Sequence, residues 1–282
     1  MKNQRNYLYA ILVFGLTFLT MNGAALLLSS GMYTLGGLVG GRDGIYKISK
    51  YLQDHYDWFS ASVYLIVLVL FGIWYYFAVV EKEGIRKFVS RNVRKISPVS
   101  VVWVFLLAFG IVHATSVVFS IFAVISPETL EKYSEMMSAV EDSSVFWWIA
   151  GTLVLPPITE EIIFRGLILG YLRKAGMTFL LADLVQAVLF GIYHQNLIQG
   201  IYAAVLGLIL GWLAKRYESI FVPVFLHFLY NMFGTALTEL ESRFLPQTLQ
   251  GVIILQSIPL VIFAVLMIHF RVGEKSSGRK AG

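Results

Sequence analysis

A succession of apolar runs, each about long enough to cross a bilayer, constrains this chain more than any other feature. In order they fall near residues 7–29, 58–80, 99–125, 145–173, 178–194, 197–214, 219–238 and 250–270. A membrane-crossing helix needs about 20 predominantly apolar residues. Backbone in lipid must also satisfy its own hydrogen bonds, which favours helices or closed barrels. Runs of this length predict an all-α fold: a polytopic membrane protein of about eight transmembrane helices. The chain is 57% hydrophobic and 14% charged over 282 residues, too apolar for a soluble domain. The first run is longer than the core of a signal peptide and no small-residue cleavage site follows it, so a retained helix is expected. Cysteine is absent, which excludes thiol nucleophiles, disulfides and cysteine-held metal.

Charge sorts by segment. The net charge of +5 would suggest nucleic acid in a soluble protein. Here the basic residues fall between the apolar runs, so a bilayer is the expected partner and nucleic acid is not. Lys2 and Arg5, the 81–98 segment (Lys82, Arg86, Lys87, Arg91, Arg94, Lys95), Arg173-Lys174, Lys215-Arg216 and the tail (Arg271, Lys275, Arg279, Lys280) all fall on one side. The 127–144 segment carries Glu128, Glu131, Glu135, Glu141 and Asp142 against Lys132 alone, and falls on the other. The positive-inside rule then gives an N-in, C-in topology. The 31–57 segment reads as a glycine-rich polar loop whose charges cancel. Compact loops fit a bacterial or archaeal cell membrane. Three regions are expected: 1–144 with three helices, 145–240 with the unusual polar groups, and 241–282 with a last helix and basic tail.

Those polar groups begin at Thr159-Glu160-Glu161-Ile162-Ile163-Phe164-Arg165-Gly166, inside the fourth run. A charge at mid-bilayer costs about 2.5–3.5 kcal/mol on insertion scales, so three in six residues need partners. Pro156-Pro157 predict a kink or fresh helix start just before them. Adjacent residues point about 100° apart on a helix, so Glu160 and Glu161 face different ways. Glu161 and Arg165 are four apart and can pair, leaving Glu160 free. Two further sets lie at membrane depth: Phe190-Gly191-Ile192-Tyr193-His194, and His227-Phe228-Leu229-Tyr230-Asn231, whose His227 and Asn231 share a face. A carboxylate, two imidazoles and an amide suit activation of water and polarisation of a carbonyl. Simpler roles exist for each: ion pair for Glu161–Arg165, interfacial residue for His194, interhelical hydrogen bonds for His227 and Asn231. His113 has no evident partner. Asp183 and Gln186 read as structural, and Ala203, Gly207 and Gly211 as a packing stripe.

The ordered set E-E-x-x-x-R at 160–165, F-x-x-x-H at 190–194 and H-x-x-x-N at 227–231 resembles the three motifs of the CPBP intramembrane proteases, which include CAAX prenyl endopeptidases and bacteriocin-processing or immunity (Abi) proteins. The resemblance covers about 145–235. It implies an intramembrane endopeptidase, with Glu160 as general base on water, His194 positioning that water, His227 and Asn231 stabilising the oxyanion, and Glu161 and Arg165 supporting. It implies a peptide or protein substrate in the membrane, lipidated or not. No cofactor is expected. A zinc-dependent version, with Glu160, His194 and His227 as ligands, stays open, as does a non-catalytic immunity or regulatory role. Motifs of serine and aspartyl intramembrane proteases are absent.

Overall fold

The computed structural model describes residues 2–138 and 144–277. Among them run ten helices and no strand: α1 Lys2–Asp54, α2 Tyr56–Glu83, α3 Ile85–Val93, α4 Pro98–Ile125, α5 Pro127–Ser138, α6 over 145–174, α7 Phe179–Tyr193, α8 Leu197–Tyr217, α9 Phe221–Phe244 and α10 Gln247–Ser277. Each of the eight apolar runs is one helix. Six of them (α1, α2, α4, α8, α9, α10) are long and apolar enough to cross a membrane. Of the other two, α7 has only 15 residues and α6 carries the charged knot. The chain is an all-α integral membrane protein.

Three polar segments expected to be loops are instead largely helical. The glycine-rich 31–57 segment continues α1 to Asp54, broken only at Gly41 (φ 56°, ψ −136°). There the chain folds back on itself. A Cβ on Gly44 would lie 1.9 Å from the Gly36 carbonyl oxygen, so these glycines let two helical arms touch rather than making a loop. The basic 81–98 segment contains α3, which starts after Gly84 (φ 84°). It is amphipathic: Phe88 packs inward while Ile85, Val89 and Val93 form an exposed apolar stripe among Arg86, Lys87 and Arg91. The acidic segment contains α5, with a Lys132–Glu128 pair at 2.7 Å one turn apart. Glu141, Asp142, Arg279 and Lys280 lie outside the described residues, as does the side chain of Lys275.

Local sequence sets several helix ends. Ser97 and Ser100 cap α4 reciprocally, each hydroxyl accepting from the other's backbone N–H at 3.2 and 2.8 Å, with Pro98 at the first position. Asn196 caps α8 through Oδ1, which accepts from Gln199 N at 3.0 Å.

Two apolar cores run through the bundle. One joins α1, α2, α6 and α7 around Val67, Phe71, Phe164, Ile168 and Phe190. The other joins α4, α8, α9 and α10 around Leu107, Leu210, Leu213, Leu226 and Ala264. α8 serves both, because its small-residue face meets α7 and its leucine face meets α4 and α9. That face is tight: a Cβ on Gly211 would lie 1.8 Å from Asp183 Oδ1, and one on Gly207 would lie 3.0 Å from Ala187 Cα. Basic segments meet at one end of the bundle. Asn6 donates to the Lys174 carbonyl (3.1 Å), Lys95 donates to the Arg216 carbonyl (3.2 Å), and Arg216 reaches the His269 carbonyl. At that end Glu218 accepts from Lys95 and Arg94 at 2.9 and 2.7 Å.

Candidate active site

The site is built on α6, and prolines shape it. The helix is α over Leu155–Glu161 but widens to π register before it (Ile149–Val154) and after it (Ile162–Ile168). Pro156 and Pro157 have no N–H. The Thr152 carbonyl therefore loses its partner in both registers, four residues on and five residues on. Asn231 of α9 fills the gap, its amide donating to Thr152 O at 2.9 Å. The Leu155 N–H turns to Ala150, and the Gly151 carbonyl, left with Pro156 in π register, accepts from Ser60 Oγ of α2 at 3.4 Å. α2 comes this close because α6 has glycine at the contacts. A Cβ on Gly151 would sit 2.5 Å from the Asp57 carbonyl oxygen, and one on Gly166 would sit 2.6 Å from the Tyr75 ring.

That approach brings α2 to the acidic pair. The Tyr64 hydroxyl donates to Glu160 Oε1 at 2.7 Å and lies 3.3 Å from the Tyr193 hydroxyl of α7. Glu160 Oε2 faces His227 Nε2 of α9 at 3.7 Å. Glu160 is thus buried (3% exposed) but not unpartnered. Glu161, one residue on, faces another way as helical geometry requires. Its Oε1 accepts from Arg165 at 2.8 Å and from His227 Nδ1 at 3.0 Å. The Glu161–Arg165 pair therefore also fixes His227, whose Nδ1–H is committed and whose Nε2 is turned to Glu160. Arg165 is held further: it donates to the Gly207 carbonyl at 3.1 Å and stands over the Phe190 ring at 4.6 Å. Gln186 donates to the same carbonyl (2.9 Å) and to Asp183 (2.8 Å), so that pair belongs to the α7–α8 packing.

His194 caps the end of α7. Its Nδ1–H donates to the Phe190 carbonyl at 2.8 Å, which turns Nε2 away from its own helix. Phe190 makes edge-on contacts to both imidazoles, to His194 at 4.8 Å and to His227 at 5.8 Å. Of the residues singled out in the sequence, Glu160, Glu161, Arg165 and His227 are directly linked, and His194 joins them through Phe190 and Tyr193. Asn231 stands apart: the carbonyl it holds lies eight residues, about 12 Å of helix, before Glu160. One of its N–H bonds is spent there.

Tyr64 and Tyr193 were not singled out. Tyr193 sits inside the F-x-x-x-H motif, and Tyr64 lies well within an apolar run, yet fifteen tyrosines dilute that signal. His113 has a partner after all: its Nε2 meets Glu241 Oε2 at 2.8 Å, a pairing across 128 residues. For zinc, among the described residues no three His, Asp or Glu groups are arranged to hold a metal ion. His227 Nε2 and Glu160 Oε2 are 3.7 Å apart and His227 Nδ1 is used by Glu161.

The comparisons with known proteins meet this geometry. Residues 142–233 match the family model described as Type II CAAX prenyl endopeptidase Rce1-like. This stretch, about a third of the chain, is similar to that family and coincides with the region that carries the three motifs. The matched region holds every motif residue named above, while Tyr64 lies outside it. A Bacillus subtilis (strain 168) protein named "Putative membrane peptidase YdiL" is 38% identical over 80 residues, 28% of this chain. The chain spans about a third (32%) of that relative's length. No solved structure matches.

Proposed function

We propose that the chain is an intramembrane endopeptidase that hydrolyses a peptide bond of a membrane-associated or lipidated peptide with water activated by Glu160. One observation carries this reading. Glu160 is a buried carboxylate with one oxygen fixed by Tyr64 and the other turned to His227.

Glu160 Oε2 takes a proton from water as that water attacks the peptide carbonyl. His194, with Nδ1–H committed to Phe190, presents Nε2 to hold the water. His227, steered by Glu161, presents Nε2, and in protonated form this N–H donates to the oxyanion. The second N–H of Asn231 can join it if the substrate carbonyl lies toward Thr152. Glu160 then returns the proton to the leaving amine. Losing one oxyanion donor typically costs about 10²–10³-fold in rate.

The test uses the full chain in liposomes, with a farnesylated CAAX-ended peptide and a membrane-protein extract as probes. New termini are read by mass spectrometry in ¹⁸O water. Wild type should generate labelled termini and Glu160→Gln should not. Wild-type cleavage by a folded Glu160→Gln protein removes Glu160 from the mechanism. Cleavage that a chelator abolishes and zinc restores supports the metal-dependent version. A Glu160→Gln protein that keeps the cellular phenotype supports a non-catalytic immunity or regulatory role.

A further inference from the structure

A second site lies at the basic end of the bundle, away from the glutamates. There the first turns of α1, the end of α2 and the end of α6 enclose a cavity of about 1020 Å³. Arg5, Lys82 and Lys174 line it and no carboxylate does. Among the described residues none of these three cations is ion-paired, in contrast to Arg91, Arg94 and Lys95 nearby, which meet Glu83 or Glu218. Three cations converging without a counter-ion repel one another, so the groove favours an anion.

Its aromatic walls say which kind. Trp74 donates to the Tyr171 hydroxyl at 2.9 Å, and Asn6 ties α1 to the Lys174 carbonyl at 3.1 Å, so the three helices form one frame. Lys174 stands over the Tyr171 ring at 5.5 Å and Arg5 over the Tyr9 ring at 6.0 Å. Trp and Tyr beside cations at a helix end mark the height of lipid headgroups. Apolar side chains beside the groove are exposed: Phe77 (54%), which lines it, Ile73 (54%) one turn earlier on α2, and Leu12 (44%), one turn after Tyr9 on α1. A free anion has no use for such side chains, whereas acyl chains do.

We propose that this groove binds the phosphate headgroup of an anionic lipid, its acyl chains lying along α1 and α2. Three unpaired cations favour a phosphomonoester headgroup over a phosphodiester, and either over a zwitterion. Each Lys or Arg near an anionic surface contributes about 1 kcal/mol, so removing two cations should weaken binding on the order of 10- to 30-fold.

The test titrates the full chain in detergent with phosphatidic acid, phosphatidylglycerol, phosphatidylcholine or inorganic phosphate, following binding by native mass spectrometry and thermal stability. Phosphatidic acid should bind tightest and raise Tm, with phosphatidylcholine and millimolar phosphate doing neither. The Lys82→Gln/Lys174→Gln protein should lose that preference. Its partner control, Arg86→Gln/Lys87→Gln, removes the same charge on α3 outside the groove and should keep it. Equal loss in the control would mean diffuse attraction and overturn the site. Equal binding of phosphatidylcholine, or stabilisation by inorganic phosphate alone, would overturn a lipid-phosphate ligand. All the substituted side chains are exposed, and an unshifted Tm without lipid verifies folding.

Discussion

A buried carboxylate is defined by what each of its two oxygens touches. Glu160 gives one to Tyr64 and keeps the other toward His227. A hydrogen bond to a charged group contributes about 1.5–3 kcal/mol. Tyr64→Phe, which leaves that oxygen unpaired, should therefore lower stability by about that much and kcat by about 10- to 100-fold with KM nearly unchanged, measured on whichever probe peptide the wild type cleaves. An unchanged kcat in the folded variant would confine Tyr64 to a structural role. Arg165 is a different case, because it neutralises Glu161, props His227 and grips α8 at once. Removing one partner of a buried pair costs about 3–5 kcal/mol, so Arg165→Ala should fail to fold stably. Arg165→Lys should recover only part, since an ammonium cannot keep both the carboxylate and the Gly207 carbonyl. The motif residues were legible as a set because charges in an apolar run are conspicuous. Tyr64 was not, because an aromatic ring with one hydroxyl looks like its apolar neighbours until a partner is seen. Asn231 was legible as polar and facing inward, but its partner is a backbone carbonyl that no side-chain pattern marks.

Helices here approach one another through missing atoms. α8 meets α7 where Gly211 has no Cβ to strike Asp183, and α6 meets α2 through Gly151 and Gly166. Gly211→Ala should destabilise by about 1–3 kcal/mol through overpacking. Gly170→Ala, with nothing within 4 Å, should be neutral or stabilising by up to about 1 kcal/mol from helix propensity. Thermal unfolding in one detergent compares them. The proline break yields a coupled prediction. In a Pro156→Ala protein the restored N–H can serve the Thr152 carbonyl, so Asn231→Ala should then cost less stability than in wild type. Equal costs in a double-mutant cycle would mean that Asn231 is not tied to the break. The packing stripe on α8 was readable because small residues recurred at helical spacing. The fold-back at Gly41 was not, since glycines that serve a loop and glycines that serve a helix contact look alike in sequence.

The whole molecule has a basic end and an acidic end, and the basic segments meet physically. Apolar run length gave eight of the ten described helices and their order, but could not say whether the polar segments between them were helical; α3 and α5 are. An N-in, C-in orientation is our proposal for which end faces the cytoplasm. With no native cysteine, single cysteines at Lys87 and Glu131 should react with impermeant maleimide from opposite sides of spheroplasts. Reaction of both from outside would reverse or break the topology. Glu218 sits at the basic end, where the hydrogen bond from Lys95 holds its carboxyl below the usual value of 4.5. A depressed carboxylate contributes stability above its unfolded value, lost as pH falls through the folded one. The contacts of Arg94 and Lys95 with the Glu218 carboxylate should therefore weaken only below about pH 4.5, seen as faster hydrogen exchange near Ser219, and stay unchanged from pH 6 to 8.

The shortness of α7 has a consequence for how a dry carboxylate meets a hydrolytic water. Fifteen residues give about 22 Å of helix against a hydrocarbon core near 30 Å. If α7 starts at the basic boundary, its far end stops about 8 Å short of the other. There the backbone leaves helical form, at Gln195 (φ 53°, exposed), at a depth where lipid tolerates no irregular chain. Such a deficit is met by local thinning of the bilayer or by a wetted indentation. Either one opens beside His194, so hydrophobic mismatch at a single undersized helix would bring the aqueous phase to the site's threshold.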